Sequence, residues 1–97
     1  MINCGGRKFS PTEVEACLLE LPEIVEAAVI GTPHRILGEV GKAFVVRSTG
    51  CNIEIKKVIQ HCVKRLASHK VPFSVVEVPQ LPKNSTGKLM HRKLTEV

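Results

Sequence analysis

EIVEAAVIGTP (residues 23–33) and EVGKAFVVRSTG (residues 39–50) are the two stretches that decide the fold. Both are rich in valine, isoleucine or alanine, and each is closed by a glycine or proline that favours a turn. The connecting segment, TPHRILG, is polar and kinked. We therefore predict two strands that lie side by side and antiparallel.

A helix is predicted just before these strands, in FSPTEVEACLLEL. Ser10 is placed to accept a hydrogen bond from the backbone of Glu13, whose carboxylate reaches back to Ser10 in a reciprocal capping box. Pro11 follows at the first helical position, where a missing N–H costs nothing. Pro22 ends the helix. The apolar side of this helix comprises Val14, Leu18 and Leu21, with Cys17 beside them.

A second amphipathic helix is predicted in NIEIKKVIQHCVKRLASHK (residues 52–70), followed by a third strand in VPFSVVEVP (residues 71–79). KLMHRKLTEV (residues 88–97) suits a short last helix. These elements predict one α+β domain over residues 1–97, with a small three-stranded, mainly antiparallel sheet and flanking helices. The apolar positions of the second helix are Ile55, Val58, Ile59, Cys62, Val63 and Leu66.

The chain is short, and its composition is ordinary for a globular domain. Its 97 residues leave little room for both a deep substrate pocket and the machinery around it. No apolar run approaches the roughly 20 residues of a membrane-spanning helix. The N-terminal MINCGGRKF lacks the apolar stretch of a signal peptide. We therefore expect no membrane span and a cytoplasmic location.

The four cysteines, Cys4, Cys17, Cys51 and Cys62, do not have the spacing of a metal site. There is no C-x-x-C pair and no matching histidine pair. The adjacent His61 and Cys62 would point in different directions on a helix. We expect reduced cysteines that act as small hydrophobic residues, and no metal held by this chain.

A net charge of +5 and a basic C-terminal stretch leave two alternatives, an anionic partner or a solvated tail. Proteins that bind single-stranded nucleic acid stack the bases on aromatic side chains. This chain has three Phe, no Trp and no Tyr. We therefore expect no nucleic-acid partner. The basic residues of this stretch are Lys83, Lys88, His91, Arg92 and Lys93.

The glycine–lysine pair in LPKNSTGKLMHRKL (residues 81–94) is the candidate functional motif. It is not a P-loop, because Pro82 stands where the first glycine is required and Leu89 replaces the magnesium-binding hydroxyl. Gly87 and its turn-forming neighbours instead present Lys88 on a shaped loop. Lys88 is either an exposed lysine without a role or an ammonium that enters another domain's anionic site and stabilises developing charge there.

PKNSTGK (residues 82–88) resembles the C-terminal motif of the AMP-forming adenylating enzymes, which include acyl-CoA synthetases, peptide-synthetase adenylation domains and luciferases. Three further stretches resemble this family in the same order. GGRKFSPTEVE is similar to its glycine loop and the following helix, VEAAVIGTPHRILGEVGKAFVV to its central strand pair, and LASHKVPFSVVEV to the segment before the final loop. Residues 1–97 thus resemble the family's small, mobile C-terminal domain, beginning just after the interdomain hinge.

The resemblance implies a reaction in two steps. A carboxylate first attacks the α-phosphate of ATP, giving an acyl-adenylate and pyrophosphate, and a thiol then displaces AMP. The resemblance implies that Lys88 is the catalytic lysine of the first step, with Gly87 and Thr86 at the bound nucleotide. Lys8 stands where asparagine or arginine is common in the family, and it is either a phosphate contact or a solvated side chain.

For the second step, the resemblance implies that the domain rotates and presents its glycine loop to the site. Gly5 and Gly6 would then let the pantetheine arm of CoA pass close to the backbone. His69 occupies a position that is often aromatic in the family, so it either stacks on the CoA adenine or lies exposed in a turn. His34 stands where many members have an acidic residue.

The resemblance further implies that ATP with Mg²⁺, CoA and a carboxylic acid are bound mainly by a larger N-terminal domain of the same enzyme. The isolated chain is then expected to be inactive. GGRKFSPTEVE looks more like acyl- or aryl-CoA ligases than like peptide synthetases, which favours CoA as the acceptor. The alternatives are a stand-alone binding or regulatory module with the same fold, and the equivalent domain of a peptide-synthetase-type enzyme.

Overall fold

The computed structural model describes residues 1–81, and this part of the chain forms a five-stranded sheet with two α-helices and one short 3₁₀ helix. The α+β class predicted from the sequence is therefore confirmed. In chain order the elements are β1 (Ile2–Cys4), β2 (Arg7–Phe9), α1 (Pro11–Leu18), β3 (Ile24–His34), β4 (Gly38–Arg47), α2 (Ile55–Arg65), the 3₁₀ helix (Ser68–Lys70) and β5 (Ser74–Glu77).

The sheet is built on the hairpin of β3 and β4, which pair antiparallel as the sequence predicts. β1 joins β4 where Cys4 lies opposite Gly38, and β2 pairs with the other side of β1. β5 pairs with β4 in parallel, opposite residues 42–45. The sheet is mainly antiparallel, as predicted, but the predicted number of three strands is wrong.

β1 and β2 are the strands that the sequence does not reveal. Each has only three residues, which is too few for a visible alternation of apolar and polar side chains. Their pairing is nevertheless specific, since Ile2 lies opposite Phe9 and both side chains are buried. The burial of this pair and the pairing of Cys4 with Gly38 help to hold the small hairpin on the sheet.

The long strands β3 and β4 are buried on both faces, which explains their nearly continuous apolar sequences. On one face, Val29, Ala43 and Val45 pack in the main core with side chains of α1 and α2. The other face is covered by the chain that follows β5, through Val78 and Leu81. The buried members of this second cluster are Ala28, Ile30, Phe44, Val46 and Leu81.

α1 begins at the predicted residue but with a different cap. The Ser10 hydroxyl accepts a hydrogen bond from the N–H of Thr12 at 3.3 Å, and the Glu13 carboxylate pairs with the Lys70 ammonium at 2.7 Å. The predicted reciprocal capping box is therefore wrong. A cation from a segment 57 residues away competes successfully for Glu13. The helix ends at Leu18, one turn earlier than the apolar spacing indicates.

α2 is shorter than the predicted range 52–70. Val58 and Cys62 face the core as predicted, whereas Val63 is 60% exposed and does not belong to the buried side. The C-terminal part of the predicted helix forms the separate 3₁₀ helix, and the third predicted strand is shortened to β5.

The last predicted helix, residues 88–97, lies outside the described residues. Within residues 1–81, no helix is long and apolar enough to cross a lipid bilayer.

Candidate functional site

The Gly5–Gly6 turn connects β1 to β2 and gives the candidate site its shape. Both glycines have positive φ, +60° and +87°, as the two central residues of a tight hairpin turn require. The N–H of Gly5 donates to the carbonyl of Leu37 at 2.7 Å, which ties the turn to the β3–β4 connection. Apart from its neighbours in the chain, no residue between 1 and 81 places a heavy atom within 4 Å of the point where a Gly6 side chain would begin. The backbone of Gly6 is therefore open to close approach.

A pocket of about 400 Å³ lies beside this turn. Its walls come from three separate segments, namely the β1–β2 hairpin, the β3–β4 connection and the segment around the 3₁₀ helix. Residues far apart in sequence thus meet at one concave surface. The lining residues are Cys4, Gly5, Arg7, Leu37, Ser68, His69 and Phe73.

His69 lines the pocket from the 3₁₀ helix and is half-buried rather than exposed in a turn. Its ring meets Phe9 edge-on, with 5.8 Å between the ring centroids. The Nδ1 atom of His69 is buried and has no hydrogen-bond partner among residues 1–81. A buried polar atom without a partner costs free energy of folding.

His34 organises the connection that holds Leu37. Its Nδ1 accepts hydrogen bonds from the N–H groups of Ile36 at 3.2 Å and Leu37 at 3.0 Å. An unprotonated imidazole nitrogen therefore performs the acceptor role that a carboxylate would fill at this position. The ring of His34 also meets that of Phe73 edge-on, at 5.5 Å between centroids. A histidine at position 34, in place of the acidic residue of many family members, is thus compatible with an ordered turn.

Arg7 is the pocket residue that sequence reasoning missed. Arg7 and Lys8 are both exposed, and of the two only Arg7 lines this pocket. The predicted role of Lys8 at the nucleotide stays a prediction. Arg7 and Lys8 are successive residues of β2, and successive side chains of a strand point to opposite faces of the sheet, so only one of the two can face the pocket. The position of Arg7 directly after the glycine pair was the available signal. Leu37, Ser68 and Phe73 carried no comparable signal in the sequence.

The structure brings together two of the predicted CoA-binding residues. Gly5 and His69 line the same pocket, and Gly6 lies in the turn beside it. The predicted nucleotide-binding residues Thr86 and Gly87 and the predicted catalytic Lys88 lie outside the described residues.

The four cysteines are free, and Cys4, Cys17 and Cys62 are buried. The burial of Cys4 and Cys62 agrees with the expectation that reduced cysteines serve as small hydrophobic residues. Burial raises the pKa of the Cys62 thiol to about 12, so this thiol stays protonated at neutral pH.

The sequence matches the AMP-binding enzyme C-terminal domain over residues 13–88. The chain belongs to this family. The match ends at Lys88, and it begins after the glycine turn.

The chain is similar to several curated CoA ligases. The chain is 45% identical over 92 residues to a substituted octahydro-indenyl-propanoyl:CoA ligase of Rhodococcus jostii, covering 95% of the chain and 18% of the relative. It is 38% identical over 96 residues to an oxalate–CoA ligase of Saccharomyces cerevisiae, covering 99% of the chain and 18% of the relative. The chain thus spans about a fifth of the length of these relatives.

Solved structures show the same fold in this family. Apo MatB from Rhodopseudomonas palustris matches with a TM-score of 0.91 and 39% identity, over 96% of this chain and 19% of that one. o-Succinylbenzoate CoA synthetase from Bacillus subtilis, in complex with an acyl-adenylate intermediate, matches with a TM-score of 0.92 and 31% identity. That match covers 99% of this chain and 19% of the synthetase.

Proposed function

We propose that this chain is the mobile C-terminal domain of an ATP-dependent, AMP-forming acyl- or aryl-CoA ligase. The observation that supports this most directly is the pocket at the Gly5–Gly6 turn, in a chain whose family is that of AMP-binding enzyme C-terminal domains. The carboxylic acid substrate, ATP and Mg²⁺ would be held mainly by a larger N-terminal domain, and this domain would serve each of the two half-reactions in turn.

In the first half-reaction, Lys88 would act on the nucleotide. Attack of the carboxylate on the α-phosphate increases the negative charge on the phosphate oxygens. An ammonium brought to those oxygens at that moment lowers the barrier, because it interacts more strongly with the transition state than with the bound substrates. Gly87 and Thr86 would shape the loop at the nucleotide, and Lys8 would meet a phosphate from the exposed face of β2.

In the second half-reaction, the Gly5–Gly6 turn would receive CoA. Its open backbone fits a thin pantetheine arm, whose amide groups can bond to exposed main-chain groups. Arg7 adds a cation at the pocket wall, which suits the phosphates of CoA. His69, which lines the same pocket, would offer its ring to the adenine. The four free cysteines fit a cytoplasmic location, since free cysteines are typical of a reducing compartment.

The test separates the two half-reactions in the full-length protein that contains this chain. Lys88→Ala should lower adenylation, measured as exchange of pyrophosphate into ATP with a panel of carboxylic acids, by orders of magnitude. Thioester formation from a preformed acyl-adenylate should survive far better. Lys88→Arg should not restore adenylation, because a planar guanidinium does not replace a compact ammonium. Lys64→Ala, on the exposed side of α2, is the matched control and should leave both steps unchanged.

The variant Gly6→Asn tests the second half-reaction. Asparagine tolerates positive φ better than most residues, so the turn is expected to persist while a side chain enters the approach path. Thioester formation should then fall with adenylation retained. If Lys88→Ala reduced both half-reactions equally, the proposed division of labour would be wrong.

A further inference from the structure

Three metal-binding side chains meet where α1 contacts α2. Cys17 lies in the last turn of α1, Glu20 follows three residues later, and His61 comes from α2. The Cys17 Sγ, a Glu20 carboxylate oxygen and a His61 ring nitrogen all lie within 4.8 Å of one another. The sequence shows no metal-site spacing here, because the third side chain is more than forty residues away from the first two.

We propose that Cys17, Glu20 and His61 form a zinc site that joins α1 to α2. Thiolate, imidazole and carboxylate are the three ligand types that Zn²⁺ takes from proteins, in tetrahedral geometry. This site is independent of the ligase function, since it uses none of the residues of the CoA pocket.

The separation between the His61 and Glu20 ligand atoms is close to that of a tetrahedral site. Zn–N and Zn–O bonds of about 2.1 Å place the two ligand atoms about 3.4 Å apart in a tetrahedron. The Nε2 of His61 and the Oε1 of Glu20 are 3.0 Å apart, so a small side-chain movement admits the ion between them. His61 is 22% exposed and Glu20 is 41% exposed, which leaves a path from solvent and a fourth coordination position for water.

Two further residues are placed to orient the ligands. Oε1 of Glu20 faces His61, whereas Oε2 accepts a hydrogen bond from Arg65 at 2.8 Å. Arg65 can therefore keep its bond to one oxygen while the other binds the ion. The side chain of Cys62 is hydrogen-bonded to that of Cys17. Such outer contacts tune a metal site strongly.

The charges of the assembled site balance. Zn²⁺ with one thiolate, one carboxylate and one neutral imidazole has no net charge, which suits a partly buried position. The Cys17 thiol releases one proton to solvent on binding. His61 would bind through the lone pair of Nε2, as the neutral tautomer with its proton on Nδ1.

The test is a titration of the purified, metal-free 97-residue chain with Zn²⁺ and with Co²⁺. We expect one Zn²⁺ per chain by calorimetry, and with Co²⁺ the thiolate-to-cobalt charge-transfer absorption of a cysteine ligand. Cys17→Ser should abolish that absorption. It should also weaken Zn²⁺ binding by more than the roughly 100-fold that loss of an outer contact can cause.

Matched variants separate this site from unspecific binding. Cys51→Ser removes a thiol outside the cluster and should leave the titration unchanged. His61→Gln keeps a side-chain N–H near the Cys17 carbonyl but removes the ligand nitrogen, so it should lose binding without unfolding the chain. The proposal is overturned if the wild-type chain gives no charge-transfer absorption. It is equally overturned if Cys17→Ser and Cys51→Ser bind Zn²⁺ alike.

Discussion

Phe44 in β4 and Phe73 beside the pocket are the same residue type in two regions that follow different rules. Phe44 is 1% exposed and packs in the cluster that closes the outer face of the sheet. Phe73 is 56% exposed, lines the pocket and meets the ring of His34. The β3–β4 hairpin uses its apolar side chains to hold the fold. The pocket presents an aromatic side chain to solvent, where a ligand can cover it.

The largest expected effect is the loss of a buried ring. Phe44→Ala should lower the free energy of unfolding by about 3–5 kcal/mol, because the surrounding side chains cannot fill the cavity that it leaves. Phe73→Ala should change stability by less than about 1 kcal/mol, since an exposed ring loses little burial. Urea unfolding of the two variants measures both values. Equal destabilisation would contradict the division between scaffold and pocket.

Two glycines give the next comparison. Gly6 has φ +87°, and in the described part of the chain no atom beyond its chain neighbours lies within 4 Å of a Cβ built there. Gly41 in β4 does not have a positive φ, and a Cβ built there would lie 3.7 Å from Pro72. Gly6→Ala should destabilise the chain by about 1–2 kcal/mol, entirely through backbone strain. Gly41→Ala should cost less, and restricting the unfolded chain offsets part of that cost.

The same unfolding measurement checks this pair. A Gly6→Asn variant sharpens it, because asparagine adopts positive φ more readily than alanine and should cost less. If Gly6→Ala proved as stable as the wild type, the turn would have an alternative conformation. The interpretation of the Gly5–Gly6 turn as a rigid wall beside the pocket would then be wrong.

The scaffold could be predicted from the sequence, whereas most of the pocket could not. β3 and β4 are marked by valine and isoleucine runs, and the core position of Val58 and Cys62 follows from helical spacing. The glycine turn and His69 were found through resemblance to a family. Arg7 and Phe73 line one pocket only because the chain folds back over more than sixty residues, and no local pattern indicates such a proximity. The predicted capping box was wrong for the same reason, since Glu13 pairs with Lys70, which is distant in the sequence.

His69 connects the two regions, since it packs on the core residue Phe9 and lines the pocket. His69→Ala should lower stability by about 1 kcal/mol through loss of the edge-on ring pair. His69→Phe keeps that pair and removes the buried, unpartnered nitrogen, so it should be at least as stable as the wild type. Thermal unfolding of the two variants tests this, and a less stable His69→Phe would show that Nδ1 has a polar role in the folded chain.

The smallest expected effect concerns the ion pair that holds the pocket segment to the scaffold. The Lys70 ammonium lies 2.7 Å from Glu13, so it ties the 3₁₀ helix carrying His69 to α1. Its side chain is only 27% exposed, whereas in the pair of Lys57 with Glu54, within a single turn of the chain, both partners are more than 65% exposed. A double-mutant cycle with Glu13→Gln and Lys70→Met should give a coupling of about 0.2–1 kcal/mol that shrinks in high salt.

The corresponding cycle with Glu54→Gln and Lys57→Met should give no measurable coupling, since water screens both charges. Equal couplings in the two cycles would mean that Lys70 is as solvated as Lys57. The position of the 3₁₀ helix would then depend on apolar contacts alone, chiefly the packing of His69 on Phe9. A difference between the cycles, together with a small change in the stability of His69→Ala, would instead show that a long-range charge pair sets the distance across the pocket. That is a constraint which the sequence of either segment, taken separately, does not contain.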